Sequence, residues 1–391
     1  TNDLPSKSRL LPRGLGRSYG DSCLNDQGTL LVTTKLNHLL SFDEATGRLR
    51  AEAGISFAEI LSFAIPEGWF VPVTPGTKYI TLGGAIANDI HGKNHHVAGT
   101  IGRHITRFEL LRSDGTRALC TPTTNTDLFR ATIGGLGLTG LITWAELQLI
   151  PIKSSLITQE VISFSSLQDF FAINDASDQT FAYTVAWIDT TTSAKDVRGV
   201  FFRGNHSETA VDLSEEHVRT SKLRIPCFAP AGLLNPLSMK AFNISYGFLQ
   251  HIKQGVGQTH YDPFFYPLDA VEDWNKLYGR PGFLQYQFVV PRETAPEVVP
   301  AILKEAKRTG TVAFLSVLKT FGELTSPGIL SFPRPGITLA MDVRNRGEKT
   351  LAALDRFDEI VLAHHGRLYP AKDAHMSAKT FQTCYPEITE F

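Results

Sequence analysis

Residues Ile133–Leu141 read IGGLGLTGL, and from Gly135 to Gly140 they spell G-x-G-x-x-G. The dinucleotide-binding fingerprint has that spacing. It also needs a strand before the glycines, a helix opening at the third glycine, and an acidic residue about 20 positions further on to hold a ribose. The sequence after Gly140 supplies no helix. In LITWAELQLI, Thr143, Ala145, Leu147 and Leu149 alternate with Trp144, Glu146 and Gln148, which is the two-residue period of a strand. Glu160 stands at about the right distance, but no strand–helix–strand unit surrounds it. The stretch is therefore read as a tight turn into a strand, which argues against a nicotinamide enzyme of the Rossmann type.

The glycines still need a physical reason. Two further clusters lie upstream, PRGLGRSYGD from Pro12 to Asp21 and PGTKYITLGGAIANDIHGKNHH from Pro75 to His96. Glycine lets a backbone approach a neighbour closely, and successive N–H groups in such loops form concave nests that hold phosphate. Three of them within one domain suggest backbone approaching something closely in several places rather than three unrelated tight turns.

The rest of the sequence bounds the class. A chain of 391 residues has room for two domains. Net charge is −1, so there is no global basic footprint for nucleic acid. Cys23, Cys120, Cys227 and Cys384 are far apart and form no C-x-x-C pair, so they read as free thiols, with no zinc ribbon or disulfide framework. His91 and His95 are four apart, but Gly92 lies between them and no carboxylate completes a metal site. No apolar run of about 18 residues occurs, and no convincing amphipathic anchor is visible. The chain opens without an initiator Met and closes in mid-pattern, so both ends read as incomplete.

The pattern predicts strands in TLLVTT, RLRAEAG, ITRFELLRSDG and GLITWAELQLIPI. One helix runs through FAEILSFAI, opened by the Ser56–Glu59 capping box and stopped by Pro66. Pro151 and the following KSS mark a boundary. Beyond it come longer strand-like segments, FAYTVAWID, RGVFFRG, GFLQYQFVVP, TVAFLSVLKTFG and GITLAMDV. Two amphipathic helices accompany them. The first carries Val298, Val299, Ile302, Leu303 and Ala306 inward and stops at Gly310. The second carries Leu351, Leu354, Phe357, Ile360 and Val361 inward and stops at Gly366. This mixture predicts an α+β chain whose second part is an antiparallel sheet with helices on one face. Between about Val211 and Asp262 the pattern is poor.

RGLGRSYGD, PGTKYITLGGAIANDIHGKNHH and GGLGLTGLI resemble the vanillyl-alcohol-oxidase type of FAD-binding domain. Within that superfamily the chain resembles the decaprenylphosphoryl-β-D-ribose 2′-oxidase family. The likeness continues in order through AWID, FFYPLDAVEDWNKLYG, GFLQYQFVVP, FLSVLKTFG, SFPRPG and GRLYPAKD. DIHGKNHH is its most specific part. The resemblance implies a two-domain, PCMH-type FAD-binding fold. Residues 1–152 would hold the flavin and residues 153–365 would form the substrate, or cap, domain. Residues 366–391 would return to the flavin domain and active site.

It further implies a pyrophosphate loop at Arg13, Gly14, Leu15, Gly16, Arg17, Ser18, Tyr19 and Gly20. Other flavin contacts would be Gly76, Thr81, Leu82, Gly83, Gly84, Asn88, Asp89, Ile90, His91, Ile142 and Tyr369. Covalent flavoenzymes of this type often carry His where this chain has Arg17, so FAD is expected to be non-covalent. Arg17 would then offer guanidinium donors to phosphate.

Oxidising a secondary alcohol sends a hydride to the flavin and a proton to a base. Lys372, His91 and Tyr19 are the catalytic candidates. Lys372 is either a base with a depressed pKa or a cation stabilising an anionic centre. His91 is either a proton partner or a flavin and substrate contact. Lys319 shares a strand face with Leu315, Val317 and Phe321, where a lysine either snorkels to an edge or meets the substrate phosphate. Gln285 and Gln287 share a face opposite Leu284, Tyr286, Phe288 and Val290, and two amides suit sugar hydroxyls or a solvent edge. Lys93 and Trp187 complete the implied substrate set. Three departures from the family pattern stand out. Ala340 replaces a cysteine, Thr338 an asparagine and Phe265 a tyrosine, the last two removing polar groups near the substrate.

The resemblance thus implies FAD-dependent oxidation of the 2′-hydroxyl of a polyprenyl-phosphoryl ribose to a 2-keto intermediate. A separate NADH-dependent keto-reductase would complete epimerisation to arabinose for the cell wall, and a quinone or other acceptor would reoxidise the flavin. Expected partners include no nucleic acid. The expected location is cytoplasmic or at the inner membrane, with peripheral contact, and the periplasm stays open. The alternatives are another alcohol or sugar-lactone oxidase of the superfamily, or a flavin-binding module without this activity.

Overall fold

The computed structural model describes residues 9–192, 197–213, 223–230, 232–233, 235–313, 315–372 and 375–391. Phe314 and Asp373, which fall inside quoted motifs, lie outside the described residues.

The first part is built on a five-stranded antiparallel sheet. Its strands are β1 (Leu39–Asp43), β2 (Arg48–Glu52), β3 (Ile105–Leu111), β4 (Arg117–Cys120) and β5 (Leu141–Gln148), in the order β1-β2-β5-β3-β4. Strand β5 is thus central, and it is the strand that follows Gly140. Ala145 and Leu147 are fully buried in it. Helix α1 (Phe57–Ala64) has the capping box read from the sequence: Ser56 accepts from the Glu59 N–H while the Glu59 carboxylate accepts from the Ser56 N–H at 2.8 Å. Phe57, Ile60, Leu61 and Ala64 seat it on the core. The third glycine cluster is not all loop. It contains α2 (Leu82–Ala87), capped by Thr81, whose hydroxyl accepts from the Gly84 N–H at 3.2 Å.

The second part is an eight-stranded, wholly antiparallel sheet. It comprises β6 (Leu156–Phe164), β7 (Tyr183–Ile188), β8 (Gly199–His206), β9 (Gly255–His260), β10 (Phe283–Val290), β11 (Ser316–Phe321), β12 (Gly336–Arg344) and β13 (Arg367–Leu368). The order is β9-β6-β8-β7-β11-β12-β10-β13. Helices α3 (Leu167–Ser177), α5 (Ala295–Thr309) and α6 (Glu348–Ala363) cover one face. Val298, Ile302, Leu354, Phe357 and Val361 pack there on Tyr286, Phe288, Leu339 and Met341. The other face meets the first part of the chain. Helix α4 (Pro236–Ile252) lies where the sequence pattern was poor.

Two details of the helix readings are corrected. Leu351 does not point inward but is 38% exposed; Thr350 and Ala353 take the inner positions. The left-handed residue after α6 is His365 (φ 56°), and Gly366 serves instead as a close approach, since a Cβ there would meet Val361.

Gly140 shows why the opening stretch ends in glycine. Its φ is +144°, and a Cβ would sit 2.6 Å from the Leu111 carbonyl oxygen on β3. Gly140→Ala combines a strained dihedral with a backbone collision. We expect a loss of about 2 kcal/mol or more, measured by urea unfolding.

Candidate functional site

A cleft of about 1300 Å³ runs between the glycine loops and the inner face of the eight-stranded sheet. Pockets for drug-sized ligands measure about 300–1000 Å³, so this cleft admits a larger one.

One end is walled by Arg13–Tyr19, by Gly76, Thr81, Gly83 and Gly84, and by Leu136, Gly137 and Ile142. The glycines are there for close approach. A Cβ on Gly14 would collide with the Thr81 side chain, and one on Gly83 would sit 3.1 Å from the Ala53 carbonyl oxygen. Gly16 has φ +61°. The Arg17 Nε donates to the Tyr79 carbonyl at 3.2 Å, which fixes its guanidinium at the wall. Asn88 Oδ1 and Ser22 Oγ are buried in this wall with no hydrogen-bond partner among the described residues. Buried polar atoms are rarely left so, and a ligand bonding here would satisfy them. These loops, the orphaned atoms and the cleft's volume fit an FAD.

Three of the residues expected to touch flavin do not reach this wall. Leu82 is fully buried, with its side chain in the core. Gly20 lies outside the cleft lining. Asp89 is fully buried behind it, where its carboxylate accepts from the Gly102 N–H at 2.9 Å and from the Ser326 and Ser331 hydroxyls. Asp89 therefore clips the 326–331 loop to the first part of the chain.

The other end of the cleft is the sheet face. Cross-strand pairing aligns Gln287 with Ala340, Ala340 with Val317, and Val317 with Trp187. The adjoining row pairs Val289 with Thr338 and Thr338 with Lys319, and on the opposite side Gln285 pairs with Asp342. The period of two puts all of these on one face, with Tyr286 and Phe288 on the other.

His91 projects onto this face. Its Nδ1 is 3.4 Å from Lys319 Nζ and its Nε2 is 3.2 Å from the Gln287 amide nitrogen. That amide also donates to Thr338 Oγ1 at 3.1 Å. Phe321 and Tyr369 flank the imidazole at 4.7 and 5.5 Å between ring centroids. The C-terminal segment closes the site. The Tyr369 N–H donates to the Gln287 carbonyl and its hydroxyl to the Asn88 carbonyl. The Tyr19 N–H donates to the Ala371 carbonyl at 2.8 Å, and Lys372 Nζ sits 4.1 Å above the Tyr19 ring. Lys93 Nζ donates to the Phe264 carbonyl and also lines the cleft.

Burial and like charge shift these groups together. Desolvation, then Lys372, brings Lys319 down to about 7. Desolvation, then Lys319, brings Lys93 to about 7. Desolvation brings Lys372 to about 8, while Asp342 pulls it upward. His91 is held well below its usual value by burial and by Lys319, so its ring is neutral at pH 7. Tyr19 keeps 36% of its surface open, yet burial of its phenol raises its pKa, and Gln285 bonds to the phenol.

Asp342 is the residue the sequence reading missed. It is 1% exposed, accepts from Gln285 Nε2, and is raised to about 7 by burial. Its Oδ2 has no hydrogen-bond partner among the described residues. The signal was present, since Thr338, Ala340 and Asp342 share one strand phase.

Residues 6–121 match the family described as FAD binding domain. Over 98% of its length the chain is 36% identical to decaprenylphosphoryl-beta-D-ribose oxidase of Mycolicibacterium smegmatis, covering 84% of that protein. It is 32% identical, over 86% of its length, to an uncharacterised protein of Streptomyces coelicolor, covering 94% of it. A shorter likeness, 28% over 35% of the chain, links it to L-gulonolactone oxidase of Mus musculus, of which 31% is covered. Fold and site define an FAD-dependent oxidoreductase with a PCMH-type flavin domain. The chain belongs to the decaprenylphosphoryl-β-D-ribose oxidase family.

Asp342 makes the site measurable. A carboxyl whose pKa rises on folding contributes stability at low pH and loses it as pH climbs through the folded value, here about 7. The loss begins above the unfolded value of 3.8 and is complete above about 7, so Asp342→Asn is expected to exceed the parent in thermal midpoint by more at pH 8 than at pH 5, the difference being a few degrees. A midpoint gain equal at both pH values would show that ionisation of Asp342 is not its cause.

Proposed function

We propose that this chain oxidises the 2′-hydroxyl of a polyprenyl-phosphoryl-β-D-ribose to the 2-keto sugar, using FAD held without a covalent link. The observation that carries the reading is the grouping of Lys93, Lys319 and Lys372 with Gln285 and Gln287 in one flavin-sized cleft. The relative from Mycolicibacterium smegmatis names the sugar-phosphate class. FAD, when bound, supplies the two-electron acceptor for the hydride.

The chain's own residues meet the other requirements. Lys319 and Lys93 hold the phosphate. Burial and the neighbouring lysines leave both near half charge at pH 7, and a phosphate anion draws them back to the charged form. Gln285 and Gln287 orient the sugar hydroxyls. Gln287 is itself steered by His91 and Thr338, and Gln285 by Asp342. Lys372 takes the hydroxyl proton, and Asp342 sets how readily it does so. Arg13, Arg17, Asn88 and the glycine loops hold the dinucleotide.

The keto product then needs a separate NADH-dependent reductase to reach the arabinose epimer, and the reduced cofactor needs an electron acceptor such as a quinone. No helix among the described residues is long and apolar enough to cross a membrane. A lipid-phosphate substrate calls for contact with a membrane surface.

An anaerobic absorption spectrum tests the reading. A yellow protein whose flavin bleaches on adding polyprenyl-phosphoryl ribose supports it; no bleaching, or no flavin uptake, overturns it. Lys372→Arg keeps the charge but cannot accept a proton. It is expected to lower kcat by about 10²–10⁴ and to remove a rise in kcat through about pH 8 seen in the parent. Near-parental turnover in Lys372→Arg would assign Lys372 a purely cationic role. Phosphate binding runs the opposite way. Affinity is expected to fall as pH rises above about 7, because Lys319 and Lys93 lose charge, and the fall is read as a rising KM at constant flavin content.

A further inference from the structure

Helix α4 (Pro236–Ile252) is inside out. Met239, Asn243 and Tyr246 form its inner face, with Asn243 1% exposed and donating to Asp189 at 2.7 Å, and Tyr246 against Trp187 at 4.8 Å. The opposite side is apolar and open. Leu237 is 81% exposed, Ile244 51%, Phe248 63% and Ile252 66%. At 3.6 residues per turn these four form one stripe, turned away from the inner residues. Leu249 flanks the stripe, and Val256, 74% exposed on the neighbouring edge strand β9, lies just beyond the helix. A soluble surface rarely spends this much apolar area in one place without an occupant.

Charge says what the occupant is. From Leu223 to Tyr261 the sequence has no Asp or Glu, while Arg224, Lys240 and Lys253 fall within it. Arg224 is paired with Asp273, and Lys240 and Lys253 are exposed. An apolar stripe flanked by Lys240, with the exposed Lys253 at the cleft rim and no acid in the segment, matches the interface of an anionic bilayer. The position of the helix adds a reason. Tyr246, Gln250 and Lys253 on its other side line the cleft. One helix is therefore both wall of the cleft and bearer of the apolar stripe.

We propose that α4 docks this protein onto an anionic membrane surface, with Leu237, Ile244, Phe248 and Ile252 entering the lipid and Lys240 and Lys253 meeting headgroups. The cleft mouth then opens at the bilayer, where a polyprenyl phosphate can enter headgroup first. Only this last step rests on the substrate reading above.

The test uses the FAD-loaded chain and vesicles of phosphatidylglycerol and phosphatidylcholine. Co-sedimentation with phosphatidylglycerol-containing vesicles, weakened by salt and by pure phosphatidylcholine, is expected. Burying one large apolar side chain is worth roughly tenfold to a hundredfold in affinity, so Phe248→Glu with Ile252→Glu should weaken binding by about a hundredfold or more. Bleaching of the flavin by a short-chain, water-soluble substrate should be unchanged, which shows that the variant is folded. Leu237→Glu is an independent probe at the far end of the stripe. No vesicle binding by the parent, or equal binding by the variants, overturns the proposal. So does a parent dimer that the variants split, since the occupant is then a second copy. Vesicle binding without bleaching by the soluble substrate supports docking and overturns the substrate reading instead.

Discussion

Three half-buried lysines lining one cleft constrain everything around it. Moving a lysine from 10.5 to about 7 corresponds to roughly 5 kcal/mol, and Lys319 and Lys93 both carry that shift. The charges acting on them are of the same sign, Lys372 on Lys319 and Lys319 on Lys93. Native chains have little stability to spare, so such a grouping persists only where the surroundings hold it in place. The sheet does this. Lys319 stands in a paired strand between buried Leu318 and Phe321, its neighbour across the ladder is Thr338, and the ring of His91 lies beside its ammonium. Two negative groups complete the balance in different ways. Asp342 is built in, and in the function proposed above the second is the substrate's phosphate.

The same sheet has to serve two opposed environments, and its alternation separates them. Gln285, Gln287, Thr338, Asp342 and Lys319 face the cleft, while Tyr286, Phe288, Leu339, Met341 and Leu318 pack beneath helices α5 and α6. A one-residue slip in β10 or β12 would exchange the faces, burying amides under helices and turning phenylalanine to the cofactor. The antiparallel ladder joining Phe283–Val290 to Gly336–Arg344 runs the full length of β10, which fixes the register of the site together with that of the core.

Much of this was legible because it is periodic. The strand phase after Gly140, the Ser56–Glu59 box and the stripe Val298–Ala306 are local patterns, and the structure follows them. The pairing of Gln285 with Gln287 on one face was legible for the same reason. What escaped depends on contacts far apart in sequence. Asp342 reads as one more polar residue at a strand end until β10 brings Gln285 opposite it. Asp89 reads as a loop residue beside the flavin, yet its partners lie 237 and 242 positions away at Ser326 and Ser331. Helix α4 failed for another reason. Its apolar residues lie on the open side and its polar residues on the covered side, so a search for an inward apolar stripe finds the wrong face.

The three departures from the family pattern take on different weights once they are placed. Thr338 is fully buried and its hydroxyl accepts from Gln287, so the polar partner that an asparagine would supply there is replaced rather than lost. Phe265 is 1% exposed and packs its ring on Phe70, Tyr183 and His206 while also lining the cleft, so it belongs as much to the aromatic core as to the ligand. Ala340 is the one that changes the site's surface. It stands between Gln287 and Val317 in the cross-strand row, on the cleft wall, with no polar atom beyond its backbone. The polar reach of that row is carried by Gln287, and Gln287 is held by His91 and Thr338. In the proposed function, discrimination among sugar hydroxyls at this point of the cleft therefore depends on how firmly one amide is oriented, and the residues that orient it are those that also meet Lys319.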